Sequence, residues 1–206
     1  MLVFSRQNLA LLAVPKTGST ALETALRHRA DVVWRGPFRH MTARRFARRV
    51  RPLLEQGYGV APEVVAVMRE PTDRIASWWR YRSRPDATHG VGDMAFAEFL
   101  EAVLSPDPPA WAGVGDQHAF LTQDGRLAVD HLFAYEAMPR LLAFLSERFG
   151  EDVALPRKNV STPRRADLPP GLAARLRGAR AEEYALHARL TEAGGYLGPG
   201  SAVPAG

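Results

Sequence analysis

Short apolar runs alternate with amphipathic stretches along most of the chain. Apolar runs at 6–14, 31–34, 63–68 and 131–135 predict strands, and the one at 63–68 has the near-continuous hydrophobicity of a buried parallel strand. Apolar residues recurring every three or four positions predict helices at 19–29, 42–54, 72–82, 94–104, 137–149 and 170–194, the last broken near Gly178. Strands that alternate with helices indicate an α/β fold with a central parallel sheet and helices on both of its faces.

The length of 206 residues fits one domain, which we assign to 1–197, followed by a Gly/Pro/Ala-rich flexible tail at 198–206. The absence of cysteine excludes disulfides, thiolate metal sites and cysteine nucleophiles. No apolar run approaches the 18 residues or so that a membrane span needs, and the run at 9–14 is too short for a signal peptide. The sequence therefore predicts a cytoplasmic protein.

A first candidate anion site follows the strand at 6–14. Pro15 ends the apolar run, and Lys16, Thr17 and Gly18 lead into a helix that Ser19 or Thr20 is predicted to cap. The unpaired N–H groups of a first helical turn favour an anion, and glycine lets a ligand approach the backbone closely. The alternative interpretation is an ordinary strand–turn–helix junction with an exposed lysine.

This loop differs from a Walker A motif, which has a glycine, four residues, and then Gly-Lys-Ser/Thr. Here the only lysine of the loop precedes Gly18, and no glycine lies before it in the chain. The loop is too short to wrap a triphosphate in the Walker manner, but it suits a smaller anion such as one phosphate or a phosphosulfate.

A second candidate anion site follows the strand at 63–68. Arg69 stands at the carboxyl end of that strand, where open α/β sheets bind ligands. With Thr72 or Asp73 as the predicted cap, Ser77 lies about one turn into the next helix, where its hydroxyl and Arg69 can share an anion. Arg74 is expected to pair with Glu70 or Asp73.

The net charge of +5 also suits an anionic ligand. Only two of the 27 basic residues are lysines, Lys16 and Lys158. Arginines cluster between Arg35 and Arg51, which predicts either a solvated helix face or a landing surface for an acidic acceptor or nucleic acid.

Together, the two motifs resemble those of sulfotransferases that use 3′-phosphoadenosine 5′-phosphosulfate (PAPS). VPKTGSTAL is similar to the 5′-phosphosulfate loop of that family, and REPTDRIASWWR to its 3′-phosphate motif, with a Ser eight residues after the Arg. The resemblance covers about 9–196 and is greatest to the carbohydrate sulfotransferases, such as heparan sulfate 2-O-sulfotransferase, and their small bacterial relatives. The segments DQHAFLT, VDHLFAYEAMPRLLAFLSERFG, KNVSTP and EEYALHARL also resemble that branch.

The resemblance implies a P-loop-like three-layer sandwich and a role for each matching residue. The residues at 16–20 would hold the 5′-phosphosulfate, with Lys16 also neutralising the leaving oxygen, and Arg69 and Ser77 would hold the 3′-phosphate. Three residues of a late loop, Lys158, Asn159 and Ser161, would close over the nucleotide. His40 is the predicted general base for an acceptor hydroxyl on a carbohydrate, a lipid-linked molecule or a small molecule, with Glu70 and His118 as alternatives.

Two other functions compete with this hypothesis. A P-loop-type kinase or other nucleotide-dependent enzyme would share the fold, but it needs a Walker A loop and a strand-end Asp where this chain has Arg69. A non-catalytic module that binds a polyanion through 35–51 would leave both strand-end sites unexplained. We expect no metal, because the histidines lack ligand spacing, and no nucleic acid, because few aromatic residues interleave the arginines.

Overall fold

The computed structural model describes residues 1–156 and 166–200. The strands in these residues are β1 (Leu2–Phe4), β2 (Leu9–Leu11), β3 (Val32–Val33), β4 (Glu63–Met68), β5 (Thr122–Gln123), β6 (Arg126–Leu127), β7 (His131–Ala134) and β8 (Tyr196–Leu197). The α-helices are α1 (Ser19–Leu26), α2 (Ala43–Arg49), α3 (Arg51–Tyr58), α4 (Pro71–Arg82), α5 (Phe96–Val103), α6 (Gln117–Leu121), α7 (Met138–Phe149), α8 (Pro170–Ala179) and α9 (Ala181–Glu192). The fold is therefore mixed α/β, as the sequence predicts.

Six strands form the central sheet, in the order β3-β1-β2-β4-β7-β8. β2, β4 and β7 are parallel, whereas β1, β3 and β8 pair antiparallel with their neighbours. The predicted parallel sheet is confirmed only at its centre, because antiparallel strands lie on both sides of the three parallel ones. The three parallel strands end at the same edge of the sheet, so the segments that follow them are brought together.

The predicted strand at 6–14 is wrong in its first half. A β1–β2 hairpin occupies this region instead, with Asn8 in the left-handed region at φ 51° and its N–H bonded to the Ser5 carbonyl at 3.1 Å. A polar turn is therefore inserted where the sequence pattern suggested one continuous strand. The predicted strand at 63–68 is confirmed as β4.

Side chains of β4 alternate between two cores. Val64, Ala66 and Met68 pack in one cluster with Phe46 of α2 and with Leu186 and Leu190 of α9. Val65 and Val67 pack in the other with Leu22 of α1 and Leu141 of α7. Helices therefore cover both faces of the sheet, as expected from a strand with an apolar residue at nearly every position. Residues of α4, α5 and α8 form a third cluster around Trp79.

Two predicted helices differ in their boundaries. The helix predicted at 42–54 is two helices, α2 and α3, which meet at Val50 just before Pro52. The helix predicted at 170–194 breaks as expected, although at Arg180 rather than at Gly178. None of the described helices combines the length and the hydropathy that crossing a bilayer requires.

Candidate functional site: the carboxyl ends of three parallel strands

The loop between β2 and α1 has two residues in left-handed backbone conformations, Lys16 at φ 69° and Gly18 at φ 77°. Gly18 itself is the N-cap of α1, and no side chain caps the helix, so the predicted cap by Ser19 or Thr20 is wrong. The first bond of the helix runs from the Leu22 N–H to the Gly18 carbonyl at 3.1 Å. The N–H groups of Ser19 and Thr20 therefore have no partner within the helix and lie at its positive end.

The two threonine hydroxyls of the loop are already engaged. Thr17 is buried, and its hydroxyl donates to the Val14 carbonyl at 2.9 Å, which braces the loop from inside. The hydroxyl of Thr20 accepts from Arg39 at 2.9 Å, and Arg39 also pairs with Glu23 at 2.9 Å. Thr17 can therefore offer a ligand its backbone but not its hydroxyl.

The side chain of Lys16 reaches across to α4. Its Nζ atom lies 4.4 Å from the ring centroid of Tyr81 and 5.5 Å from that of Trp78. Burial, together with the charges of Arg84, Arg69 and Arg82, lowers the pKa of Lys16 to about 8. The cations that surround Lys16 indicate that this end of the sheet is electropositive, which favours an anionic ligand.

Arg69 follows β4, the parallel neighbour of β2, and lies against the Lys16 loop. A guanidinium nitrogen of Arg69 is 3.5 Å from the Lys16 carbonyl, and the guanidinium carbon lies 4.4 Å from the ring centroid of Tyr135. The Nε atom of Arg69 is buried and has no hydrogen-bond partner among residues 1–156 and 166–200. The two predicted anion sites are therefore adjacent.

Tyr135 follows β7 and connects the two motifs. A Cβ atom placed on Gly18 would lie 3.2 Å from Cε2 of this ring, and the guanidinium of Arg69 lies over the same ring. Tyr135 therefore packs against both Gly18 and Arg69, and each of the three parallel strands contributes one part of the candidate site. In the sequence, Tyr135 is distinguished only by lying in a segment that resembles the sulfotransferases.

The turn that carries Arg69 is held from two sides by other polar side chains. The Gln117 side chain accepts from the Arg69 N–H at 2.9 Å and donates to the Arg69 carbonyl at 2.8 Å. The N–H of the next residue, Glu70, donates to Glu136 at 2.9 Å. These bonds fix the backbone of the turn, and hence the position from which the Arg69 side chain extends.

Residues of helix α9 contact the side chains that hold this turn, namely Gln117 and Glu136. Glu183 accepts from Gln117 at 2.8 Å, and His187 lies 3.3 Å from Glu136. The Tyr184 hydroxyl is 2.7 Å from that of Thr72, whose own hydroxyl donates to Glu70 at 3.1 Å. The polar residues of the segment EEYALHARL thus act on the turn after β4, and Thr72 and Tyr184, which are in contact, lie 112 positions apart in the chain.

Two predictions about α4 are wrong. Glu70, not Thr72 or Asp73, caps the helix, accepting from the Asp73 N–H at 2.7 Å, so that Ser77 lies nearly two turns in rather than one. Arg74 pairs with neither Glu70 nor Asp73. It is buried, lies 3.4 Å from Glu183, and donates to the Val114 carbonyl at 2.9 Å. Ser77 itself is half-buried.

His40 is attached to the strand that leads into the Lys16 loop. Its Nδ1 atom lies 2.7 Å from the carbonyl of Ala13, three residues before Lys16. Because a carbonyl only accepts, Nδ1 carries the proton, and the lone pair of the neutral ring is on Nε2. Burial of the ring lowers the pKa of His40, outweighing the hydrogen bond to Ala13, which raises it. A neutral ring with a lone pair on Nε2 can accept a proton.

The alternative bases have their own partners. Both carboxylate oxygens of Glu70 accept hydrogen bonds within the helix cap, and Nδ1 of His118 lies 3.3 Å from Glu182. His131, which the sequence places in a strand, is buried in β7 between Tyr196 and Glu63.

No family model, no curated protein and no solved structure matches this chain.

Some expectations fall outside what the structure covers. Lys158, Asn159 and Ser161 lie outside the described residues, as do 201–206, the greater part of the predicted tail. Among the described residues, no group of three or more histidine and acidic side chains is arranged to hold a metal ion. The division into a domain at 1–197 and a tail remains a prediction.

Sequence reasoning missed four residues around the candidate site: Arg39, Gln117, Tyr135 and Glu183. For the last three a signal existed, because each lies in a segment that resembles the sulfotransferases. For Arg39 the signal was its position beside His40 in the arginine cluster. The sequence did not indicate which strand end or helix each of these four residues contacts.

Proposed function

We propose that this protein is a PAPS-dependent sulfotransferase that transfers a sulfuryl group to an acceptor hydroxyl. The observation that carries the proposal is the contact of Arg69 with the Lys16 loop at the ends of two neighbouring parallel strands. Two adjacent anion sites fit a nucleoside that bears two separate anionic groups. The proposal includes the finer fold class, a P-loop-like three-layer sandwich, and a cytoplasmic location.

The residues present fit such a donor. No side chain caps the start of α1, so its first N–H groups can bind a ligand, and the buried Nε atom of Arg69 has no protein partner among the described residues. The loop at 16–20 would hold the 5′-phosphosulfate, and Arg69 and Ser77 the 3′-phosphate. When bound, PAPS supplies the sulfuryl group.

The side chains would contribute mainly charge and position. The ammonium of Lys16 and the N–H groups of Ser19 and Thr20 would stabilise negative charge at the 5′ end of the donor. Nε2 of His40 would accept the proton of the acceptor hydroxyl, and the carbonyl of Ala13 would hold the ring in the tautomer that makes this possible. Fixed groups of this kind act without reorganising during the reaction.

The pH dependence of the rate follows from these two groups. His40 must be neutral, so protonation reduces the rate as the pH falls through its lowered pKa. Lys16 must be charged, so deprotonation reduces the rate as the pH rises through about 8, although a bound anion moves this limb upward. We expect a bell-shaped profile for release of 3′,5′-adenosine bisphosphate from PAPS. In Lys16→Arg the alkaline limb should disappear, and an unchanged alkaline limb would contradict the role of Lys16.

The decisive test is a thermal-shift comparison of 3′,5′-adenosine bisphosphate with AMP and with ATP–Mg²⁺. A ligand at 100 times its Kd adds about 2.7 kcal/mol to the free energy of unfolding, which raises Tm by roughly 5–11 °C in a domain of this size. We expect that shift with the bisphosphate and a much smaller one with AMP, which lacks the 3′-phosphate.

Variants of Arg69 identify the site of binding. Arg69→Ala should lose the bisphosphate shift, whereas Arg27→Ala, which removes an exposed arginine from the end of α1, should keep it. A shift with ATP–Mg²⁺ alone would replace the proposal with a kinase, and no shift with any ligand would favour a polyanion-binding module.

A further inference from the structure

The excess positive charge of the protein is confined to one short segment. Residues 35–51 contain seven arginines and no acidic residue, while the rest of the chain has 20 basic and 22 acidic residues. The chain outside this segment is therefore slightly negative. The net charge of +5 therefore arises from this segment and not from the rest of the chain.

Five of these seven arginines have no acidic partner within the part of the chain that the structure describes. Arg39 pairs with Glu23, and Arg51 lies near Glu55 and Asp130. The other five are not fixed by ion pairs among residues 1–156 and 166–200, and all five are exposed: Arg35, Arg44, Arg45, Arg48 and Arg49. Their charges face outward because the opposite side of α2, with Ala43 and Phe46, is buried in the core.

The arrangement of these arginines costs stability in the free protein. Arg44 and Arg45 lie in the first turn of α2, where positive charge opposes the helix dipole and no acidic residue compensates. Arg44 and Arg48, and likewise Arg45 and Arg49, are like-charged neighbours one turn apart. An anionic surface would relieve both kinds of repulsion.

Exposed apolar side chains lie in this segment and in α3, the helix that follows α2 directly. Of the four large hydrophobic residues that are exposed in the described part of the chain, three are Phe38, Leu53 and Tyr58. Phe38 is 52% exposed, and the guanidinium carbon of Arg45 lies 6.0 Å from its ring centroid. Arginines next to exposed apolar groups match a lipid interface, where the cations meet headgroups and the apolar groups enter the boundary with the acyl chains.

We infer that the basic surface, formed by the five unpaired arginines with Phe38, Leu53 and Tyr58, binds the surface of an anionic lipid bilayer. The segment also carries His40, two residues after Phe38, and Arg39, which contacts Thr20 at the start of α1. A bilayer bound here lies beside the candidate base. This second step rests on the proposed function: the acceptor hydroxyl is then presented at the level of the lipid headgroups.

Vesicle sedimentation tests the inference on the full chain. We expect binding to vesicles that contain phosphatidylglycerol, little binding to pure phosphatidylcholine, and weaker binding as salt is raised. The quadruple variant Arg44→Gln, Arg45→Gln, Arg48→Gln, Arg49→Gln should reduce partitioning about 10²–10³-fold, since each arginine at such a surface contributes about fivefold.

A matched control removes four exposed arginines elsewhere: Arg6→Gln, Arg27→Gln, Arg126→Gln, Arg177→Gln. It has the same net charge as the quadruple variant and should still bind the anionic vesicles far better than that variant does. Equal losses in the two variants would overturn the inference, because binding would then depend on net charge rather than on this surface. Circular dichroism and thermal melts of both variants exclude unfolding as the cause.

The apolar part of the surface separates lipid from nucleic acid. Phe38→Ser with Leu53→Ser should weaken vesicle binding several-fold and leave binding to a double-stranded oligonucleotide unchanged. Oligonucleotide binding at least as tight as vesicle binding, with no effect of the serine substitutions on vesicles, would overturn the inference in favour of nucleic acid. The bisphosphate thermal shift is independent of these outcomes, so failure of the donor site and failure of the lipid surface are distinguishable.

Discussion

Glu183→Gln is expected to lower the free energy of unfolding by about 3–5 kcal/mol, because it leaves a buried charge without its partner. The side chains of Glu183 and Arg74 are 0% and 2% exposed, and Arg180 lies 3.8 Å from the same carboxylate. Glutamine keeps the shape of the side chain and can still accept a hydrogen bond from Gln117. The loss of stability would therefore result from the missing charge rather than from altered packing. Urea denaturation at neutral pH measures it.

The neighbouring residue supplies a matched control. The side chain of Glu182 is 82% exposed, and Glu182→Gln should change stability by less than about 0.5 kcal/mol. A double variant, Glu183→Gln with Arg74→Met, should recover much of the loss, since an apolar side chain replaces the unpaired cation. Equal stability of the two glutamine variants would show that the buried pair contributes nothing.

Lys16→Ala is expected to reduce turnover of PAPS by about 10²–10³-fold, the usual effect of removing one group that stabilises developing negative charge in a closed site. We expect this loss because the ammonium of Lys16 is part of the positive charge, shared with nearby arginines, at the end of the sheet. Lys16 is also the only lysine among the described residues, so no other lysine there can replace it. The rate of 3′,5′-adenosine bisphosphate release, with water or an added alcohol as acceptor, measures the effect.

Lys16→Arg is the control, because it retains the positive charge with a different shape. It should restore most of the bisphosphate thermal shift that Lys16→Ala loses, while restoring turnover only in part. Turnover that is unchanged in Lys16→Ala would contradict a role in stabilising the leaving oxygen, whatever the effect on binding.

The sequence predicted the centre of the fold better than its edges. β4 has six residues, five of them buried, so its apolar run is long enough to identify without knowledge of its neighbours. The strand predicted at 31–34 is confirmed as β3, whereas β8 has two residues, too few for any periodic pattern, and is a strand only because β7 lies beside it. The antiparallel direction of the edge strands was not predictable from local pattern, because it depends on which strands lie next to each other.

The candidate site likewise has a part that the sequence predicted and a part that it did not. Lys16, Gly18 and Arg69 follow directly from strand–turn–helix junctions, which are local in sequence. The contacts of Gln117 with Arg69 and with Glu183 join residues 48 and 66 positions apart, and no spacing rule predicts them. A cap by Glu70, instead of by the more usual Thr or Asp, also required knowledge that Pro71 begins the helix.

The ring of Tyr135 touches both anion sites, and this has a consequence for selectivity. The edge of the ring lies against Gly18 and the guanidinium of Arg69 lies over it, so the ring packs against both groups. Under the proposed function, the ring helps to fix how far apart the two charges of a bound ligand must lie. A substitution that adapts either the Lys16 loop or Arg69 to another nucleotide would then also alter how the other one fits its ligand.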